Sequence, residues 1–217
     1  MKTFIKLKNN HVKNLPKEFE NQDVRMPESL AEIFIKEYSK AGDIIFDPFT
    51  GFGTTLVVAE KLGRDAYGIE FLKERVEYIK GNIKNKNNIT HGNSLELDKY
   101  DFPMIDMSIT SPPYMPKNSN EQYPFGYYMI TSETYEQYLK DIKKVYSKLK
   151  NKLKPNAYVI IEIVNIINDY ANTPLAFDVA RVVGEVLTFE KEIIVCWEPT
   201  YGFGYDHSYC LVFKNTI

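Results

Sequence analysis

Two short stretches of this chain carry residue types that can do chemistry together. The first is Thr110-Ser111-Pro112-Pro113-Tyr114, directly after the strand-like run Met104-Ile105-Asp106-Met107-Ser108-Ile109. Consecutive prolines fix φ and donate no backbone hydrogen bond, so the carbonyls of Ser111 and Pro112 are not used up in a helix or a sheet ladder. They stay available as acceptors. A small hydroxyl before such an elbow and an aromatic ring after it suit a flat group bearing an NH2: the acceptors take the amine protons and the ring stacks on its face. A nucleobase with an exocyclic amine has that shape. Taken alone, the tetrapeptide reads equally well as a proline-rich turn with a packing tyrosine.

The second stretch supplies the context. Asp47-Pro48-Phe49-Thr50-Gly51-Phe52-Gly53-Thr54-Thr55 follows Ile44-Ile45-Phe46, an apolar run suited to a buried parallel strand, and precedes Leu56 to Leu62, which has helical spacing. A glycine-bearing turn from strand to helix lets a ligand approach the backbone closely. A further strand, Asp65 to Glu70, ends in an acid about twenty residues beyond the glycines, where a carboxylate can accept from ribose hydroxyls. A dinucleotide-binding fold shares both features, but its fingerprint requires a third glycine, and that slot holds Leu56. No Gly-Lys-Ser/Thr follows, which excludes a P-loop. A nucleoside without phosphates fits what is left, and S-adenosylmethionine is the commonest such cofactor on this architecture.

Together the two stretches resemble the amino-methylating DNA methyltransferases that act on cytosine N4 or adenine N6. Asp47 to Thr55 looks like their cofactor motif and Ser111 to Tyr114 like their catalytic motif. Val24-Arg25-Met26-Pro27-Glu28-Ser29-Leu30 resembles the stretch that helps close the methionine side of the pocket. His91-Gly92-Asn93-Ser94 resembles the loop that contacts the cofactor adenine, with Asn93 where the family usually has Asp; an amide also hydrogen-bonds to adenine. The resemblance runs from Asp23 to Asn215. It implies a Rossmann-like α/β methyltransferase fold, with a mostly parallel sheet, an antiparallel C-terminal hairpin and helices on both faces. The cofactor-binding residues it implies are Pro27, Asp47, Pro48, Phe49, Thr50, Gly51, Gly53, Thr54, Thr55, Glu70, Asn93 and Ser94. The catalytic ones are Ser111, Pro112, Pro113 and Tyr114, with no metal.

The reaction it implies is methyl transfer from S-adenosylmethionine to the amine of a base extruded from DNA. A serine at the head of the elbow is what the cytosine-N4 members usually show, so cytosine is the favoured base. Adenine N6 is the alternative, followed by an RNA base amine and by a non-catalytic cofactor-binding subunit. Methylation at a ring carbon requires a nucleophilic thiol, and Cys196 and Cys210 lie in apolar strand-like runs rather than in a Pro-Cys loop.

The elements that must position these residues follow from periodicity. Tyr135, Leu139, Ile142, Tyr146, Leu149 and Leu153 recur at helical spacing. Tyr158 to Val164 reads as a strand, Thr173 to Leu187 as a helix, and Ile193–Trp197 and Tyr209–Phe213 as strands of an antiparallel hairpin at the sheet edge, turning at Gly202 to Gly204. A chain of 217 residues with 44% hydrophobic content buries one substantial core. One domain is expected over residues 1–217, with 1–22 a basic N-terminal extension and no separate target-recognition domain. Sequence specificity is then expected from the hairpin near 198–208, from a second copy of the chain, from a separate specificity subunit, or from loop 115–130. In that loop Met115, Pro116, Lys117, Asn118, Ser119 and Asn120 precede Tyr123, Phe125, Tyr127 and Tyr128. A formal net charge of −2 excludes a chain coated in basic residues, and the lysines near the N-terminus and along 140–154 read as solvated faces. Two cysteines and the lack of a leader or long apolar span point to a reduced, cytoplasmic protein without membrane contact.

Overall fold

Alternation within single strands sorts the apolar residues onto two faces of one sheet. In the computed structural model, which describes residues 2–22, 25–117, 124–126, 134–167, 172–201 and 204–216, strand β2 (Ile44–Asp47) shows this most simply. Ile45 joins a core with Leu30 and Phe34 of α1 (Glu28–Tyr38), Leu56 of α2 (Thr54–Lys61) and Val76 and Ile79 of α3 (Lys73–Lys80). Phe46 points the other way, into a core with Tyr138, Ile142 and Tyr146 of α4 (Tyr135–Lys150) and Val179 and Val183 of α5 (Leu175–Gly184). Helices therefore cover both faces, which is why β2 is apolar without interruption up to Asp47.

The parallel part of the sheet is completed by β3 (Asp65–Glu70), β4 (Ile89–His91), β5 (Ile105–Thr110) and β6 (Leu153–Ile163). Two residues each form β7 (Ile166–Ile167) and β8 (Asn172–Thr173), a small antiparallel pair outside the main sheet. The long strands β9 (Thr188–Tyr201) and β10 (Tyr205–Lys214) pair antiparallel, and β10 lies antiparallel to β6. With β1 (Phe4–Lys8) at one edge, the order across the sheet is β1-β9-β10-β6-β5-β2-β3-β4.

That order corrects two expectations. The C-terminal hairpin is not at the edge, because β1 (Phe4–Lys8) pairs parallel with β9, Phe4 opposite Ile194 and Lys8 opposite Glu198. Part of the presumed N-terminal extension is thus the edge strand. Its pattern explains the placement: Ile5 and Leu7 pack on the core, while Lys6 and Lys8 are exposed on an edge that lysines protect from further pairing. Likewise Leu153 opens β6 instead of closing α4, which begins where Thr134 Oγ1 accepts from Gln137 N at 3.2 Å and ends at Lys150.

β2 is flanked by β3 on one side and β5 on the other, so the connections leave it toward opposite sides and a cleft opens at the carboxyl ends of these strands. Of the substrate-side loop, Asn118, Ser119, Asn120, Tyr123, Tyr127 and Tyr128 lie outside the described residues, as do Gly202 and Phe203 of the hairpin turn. Among the described residues no helix is long and apolar enough to cross a membrane.

Candidate active site

The loop from Asp47 to Thr55 is built on backbone positions that only glycine tolerates well. Gly51 and Gly53 have φ of 59° and 86°. A Cβ on Gly53 would also stand 3.0 Å from Ile79 Cγ1, so this glycine lets the start of α2 settle against α3. Across the strand, a Cβ on Gly68 would lie 2.2 Å from Thr50 Oγ1, which explains why β3 carries a glycine beside the loop. Thr50 fixes the turn by donating from its hydroxyl to the Asp47 carbonyl at 3.0 Å and from its amide to the Ile69 carbonyl at 3.0 Å.

Two carboxylates brace this loop from behind. Glu70 Oε2 accepts from Gly51 N at 2.9 Å and Oε1 from Leu72 N at 2.8 Å. Burial pushes its carboxyl above the ordinary value, against the pull of these donors and of Arg75. Asp47 Oδ1 accepts from Phe49 N at 2.9 Å and from Thr110 Oγ1 at 2.6 Å, and burial raises its pKa to about 6. The Thr110 bond joins the cofactor-side loop to the residue that precedes the elbow, and Thr55 Oγ1 donates to the Ile109 carbonyl at 3.5 Å in the same direction.

At the elbow, Tyr138 donates its hydroxyl to the Pro113 carbonyl at 2.9 Å, anchoring the turn to α4. Ser111 Oγ lies 3.2 Å from the Tyr114 hydroxyl, which donates to Glu162 Oε2 at 3.2 Å. The ring of Tyr114 is therefore held at its far end.

One cavity of about 670 Å³ brings these parts together. Asp47, Pro48, Phe49, Thr50, Gly51, Thr54, Thr55 and Glu70 line it, as do Asn93, Ser94 and Ser111 to Tyr114. Its size is that of a pocket for a small molecule. Pro27 and Gly53 are not among its lining residues. Pro27 instead starts α1, its carbonyl accepting from Leu30 and Ala31, and Gly53 packs on α3. The Asn93 side chain is engaged locally: Oδ1 accepts from Leu95 N at 2.9 Å and Nδ2 donates to the Phe125 carbonyl at 3.3 Å. Ser94 Oγ donates to the Pro48 carbonyl.

With this geometry in view, likeness to known proteins is informative. Residues 3–81 match the family model described as DNA methylase, N6_N4_Mtase. The chain is 39% identical over 88 residues to DNA adenine methyltransferase YhdJ of Escherichia coli (strain K12), covering 41% of this chain and 29% of that one. It is 44% identical over 61 residues to the type II methyltransferase M2.DpnII of Streptococcus pneumoniae, covering 28% and 23%. The first third of the chain is thus similar to the N6/N4 amino-DNA methyltransferases. It spans less than a third of the length of these two relatives. Among solved structures, TrmN from Thermus thermophilus superposes with a TM-score of 0.64 at 16% identity, over 91% of this chain and 52% of that one. SMU.1697c from Streptococcus mutans, solved in complex with SAH, gives 0.54 at 16% identity over 88% and 98%. At such identity these likenesses establish the methyltransferase fold.

Several residues of the cavity escape motif reading. Asn9, His11 and Arg25 line it from the N-terminal segment, and Phe71 and Tyr205 from loop and hairpin. His11 reaches it because its Nδ1 lies 3.1 Å from Glu28 Oε2 on the first turn of α1. No local pattern marks Asn9 and His11, which reach the cavity only through the fold, whereas Arg25 lies in the stretch already likened to the pocket's closing segment and Tyr205 in the hairpin near 198–208. Phe71 carried a usable signal: a large aromatic directly after the strand-end acid, 44% exposed.

Proposed function

We propose that this chain transfers a methyl group from S-adenosylmethionine to the exocyclic amine of a DNA base. The observation that carries the reading is that the glycine loop, the strand-end acid and the Ser-Pro-Pro-Tyr elbow line a single cavity. The residues present suit the cofactor. Each Glu70 oxygen accepts one backbone N–H, and a carboxylate offers about four acceptor sites, so capacity remains for ribose hydroxyls. Phe71 beside it offers an aromatic face to a purine. When bound, the cofactor supplies a sulfonium methyl whose bond to sulfur breaks, the pair staying on sulfur, as the amine lone pair forms the new carbon–nitrogen bond.

The chain's own residues prepare the amine. Its lone pair is delocalised into the ring until acceptors engage its protons and favour a tetrahedral nitrogen. The Ser111 hydroxyl and Pro112 carbonyl take that role, and Tyr114 stacks on the base for about 1 to 3 kcal/mol. Alignment of nitrogen, methyl carbon and sulfur supplies most of the remaining acceleration. The surplus proton of the methylated nitrogen passes to water. Since the amine lies inside the duplex, the base must be extruded or presented single-stranded, at a cost of about a few kcal/mol.

For the base we propose adenine N6, in preference to the cytosine expected from the elbow, because a 39% identical relative is named as a DNA adenine methyltransferase. Cytosine N4 is the second reading, and Ser111 is the observation that favours it. Recognition of the flanking sequence falls to the loop after the elbow, the β9–β10 hairpin, a second copy of the chain or a separate subunit. Incubation with labelled S-adenosylmethionine and unmethylated DNA or RNA, followed by mass spectrometry of the nucleosides, tests all of this. N6-methyldeoxyadenosine supports the first reading and N4-methyldeoxycytidine the second. Label only in RNA overturns the DNA assignment, and cofactor binding without transfer leaves a non-catalytic subunit.

A further inference from the structure

Behind the elbow sits a carboxylate that the amine chemistry above has not used. Glu162, one residue before the end of β6, is fully buried at 0% exposure and is not part of the cavity wall. Its Oε2 accepts from the Tyr114 hydroxyl at 3.2 Å, and its Oε1 has no hydrogen-bond partner among the described residues. On its far side Trp197 Nε1 donates to Ser208 Oγ at 3.0 Å, which leaves the Ser208 proton to be directed elsewhere. A carboxyl held this way is costly to bury in its ionised form, and such groups cluster at functional sites.

The direction of each hydrogen bond follows from what each group can offer. An ionised carboxylate only accepts, so Tyr114 must donate to it. Having spent its proton, the Tyr114 oxygen can only accept from Ser111, 3.2 Å away. Ser111 then has no proton left for the cavity and presents lone pairs. A neutral Glu162 would free this chain to run backwards, with Ser111 donating into the cavity.

We propose that Glu162 is a positioning residue that, through Tyr114, fixes Ser111 as an acceptor and so makes the elbow select bases bearing an amine over bases bearing a carbonyl at the same place. This rests on the methyl-transfer reading and adds the element of substrate choice. An amine has protons for Ser111; a ring carbonyl brings lone pairs against lone pairs. The titratable groups facing Glu162 are Tyr114 from the elbow and Cys210, its register partner on β10, whose thiol is pushed up by burial and by this carboxylate. Burial raises the Glu162 carboxyl, while the hydroxyls of Ser111, Ser208 and Tyr114 pull it back. Turnover should therefore fall on the acid side as Glu162 becomes protonated.

Three measurements on the full chain test this. First, carbon-13 NMR of the Glu162 carboxyl needs no activity: Tyr114→Phe removes its donor and should move its titration midpoint upward. An unchanged midpoint overturns the link to Tyr114. Second, Glu162→Gln should lower kcat at least about tenfold and abolish the acid limb of its pH profile, with KM for S-adenosylmethionine and the melting temperature unchanged. Glu162→Asp should restore part of kcat and the limb. Wild-type kcat in Glu162→Gln, or a persisting limb, overturns the proposal. Third, competing DNA with hypoxanthine for adenine, or uracil for cytosine, should inhibit the wild type at least about tenfold less than normal DNA, and Glu162→Gln should shrink that ratio. If the wild type transfers no methyl, the methyl-transfer reading fails separately, and the NMR midpoint still decides whether Glu162 and Tyr114 are coupled.

Discussion

Glu70 and Glu162 are the same residue at matching places, each at the carboxyl end of a strand and each with its carboxyl raised by burial. They differ in what holds them. Two backbone amides, Gly51 N and Leu72 N, grip Glu70. Side-chain hydroxyls alone hold Glu162, Tyr114 donating to Oε2 at 3.2 Å, with Oε1 left over among the described residues. A carboxylate held by main chain builds a loop and remains an acceptor whatever the ligand does. In the reading proposed above, a carboxylate held through the base-stacking Tyr114 decides what that side chain can offer. The cofactor side of the site is accordingly a matter of backbone shape, and the base side a matter of hydrogen-bond direction.

The contrast is broken most severely at the elbow. Tyr114→Ala removes both the stacking face and the link to Glu162, and should lower kcat about a hundredfold or more while leaving cofactor affinity within about twofold. Ser111→Ala should act in the same sense more weakly, both read by single-turnover transfer and calorimetry. If both variants fold and methylate at wild-type rates, the elbow is only a turn.

Stability against pH sharpens the other side. The Asp47 carboxyl, at about 6 in the folded chain against an ordinary 3.8, holds its proton more tightly when folded. Its contribution is therefore full below the ordinary value and lost as pH rises through about 6, a change on the order of 3 kcal/mol. Asp47→Asn should flatten the fall of melting temperature between about pH 4 and pH 6. An unchanged slope would mean that Asp47 is ionised throughout.

Glu70→Ala should weaken S-adenosylmethionine binding by about 1 to 3 kcal/mol and also lower the melting temperature, because two loop amides lose their acceptor. Calorimetry showing unchanged affinity would remove Glu70 from the site. The smallest effect is expected at Lys117. Its Nζ lies 3.3 Å from Asp178 and 5.4 Å from the Tyr135 ring centre, and its amide donates to Thr173 Oγ1 at 2.9 Å. Lys117→Glu should cost under about 1 kcal/mol of stability and leave the salt dependence of DNA binding unchanged. A slope reduced by about one would place this residue on a phosphate instead.

Much of the fold was legible because its signals are local. Ile44 to Asp47 reads as a doubly covered strand from its unbroken apolar run, and α4 from its stripe of tyrosines and aliphatics. The edge strand was not legible: five residues with two lysines look like a tail until β9 supplies a partner almost two hundred residues away. Asn93 lines the cavity, but how its side chain is used was not legible for a related reason. Its amide is free on paper, but Leu95 N and the Phe125 carbonyl engage it in the fold.

The sequence by itself determined the two pieces whose geometry is written into single residues. Proline fixes its own φ and glycine alone accepts a φ near +60 to +90°, so the elbow and the cofactor loop follow from Pro112, Pro113, Gly51 and Gly53 wherever the chain goes. Tertiary structure alone decided that these pieces share one cavity, that Tyr138 anchors the elbow, and that Glu162 stands behind Ser111. Those relations join residues 25 to 62 positions apart, and no local rule reaches that far. Only the register of β6 beside β5, with Thr110 opposite Ile161, turns Glu162 from an acid in an apolar strand into the group that sets what the elbow presents.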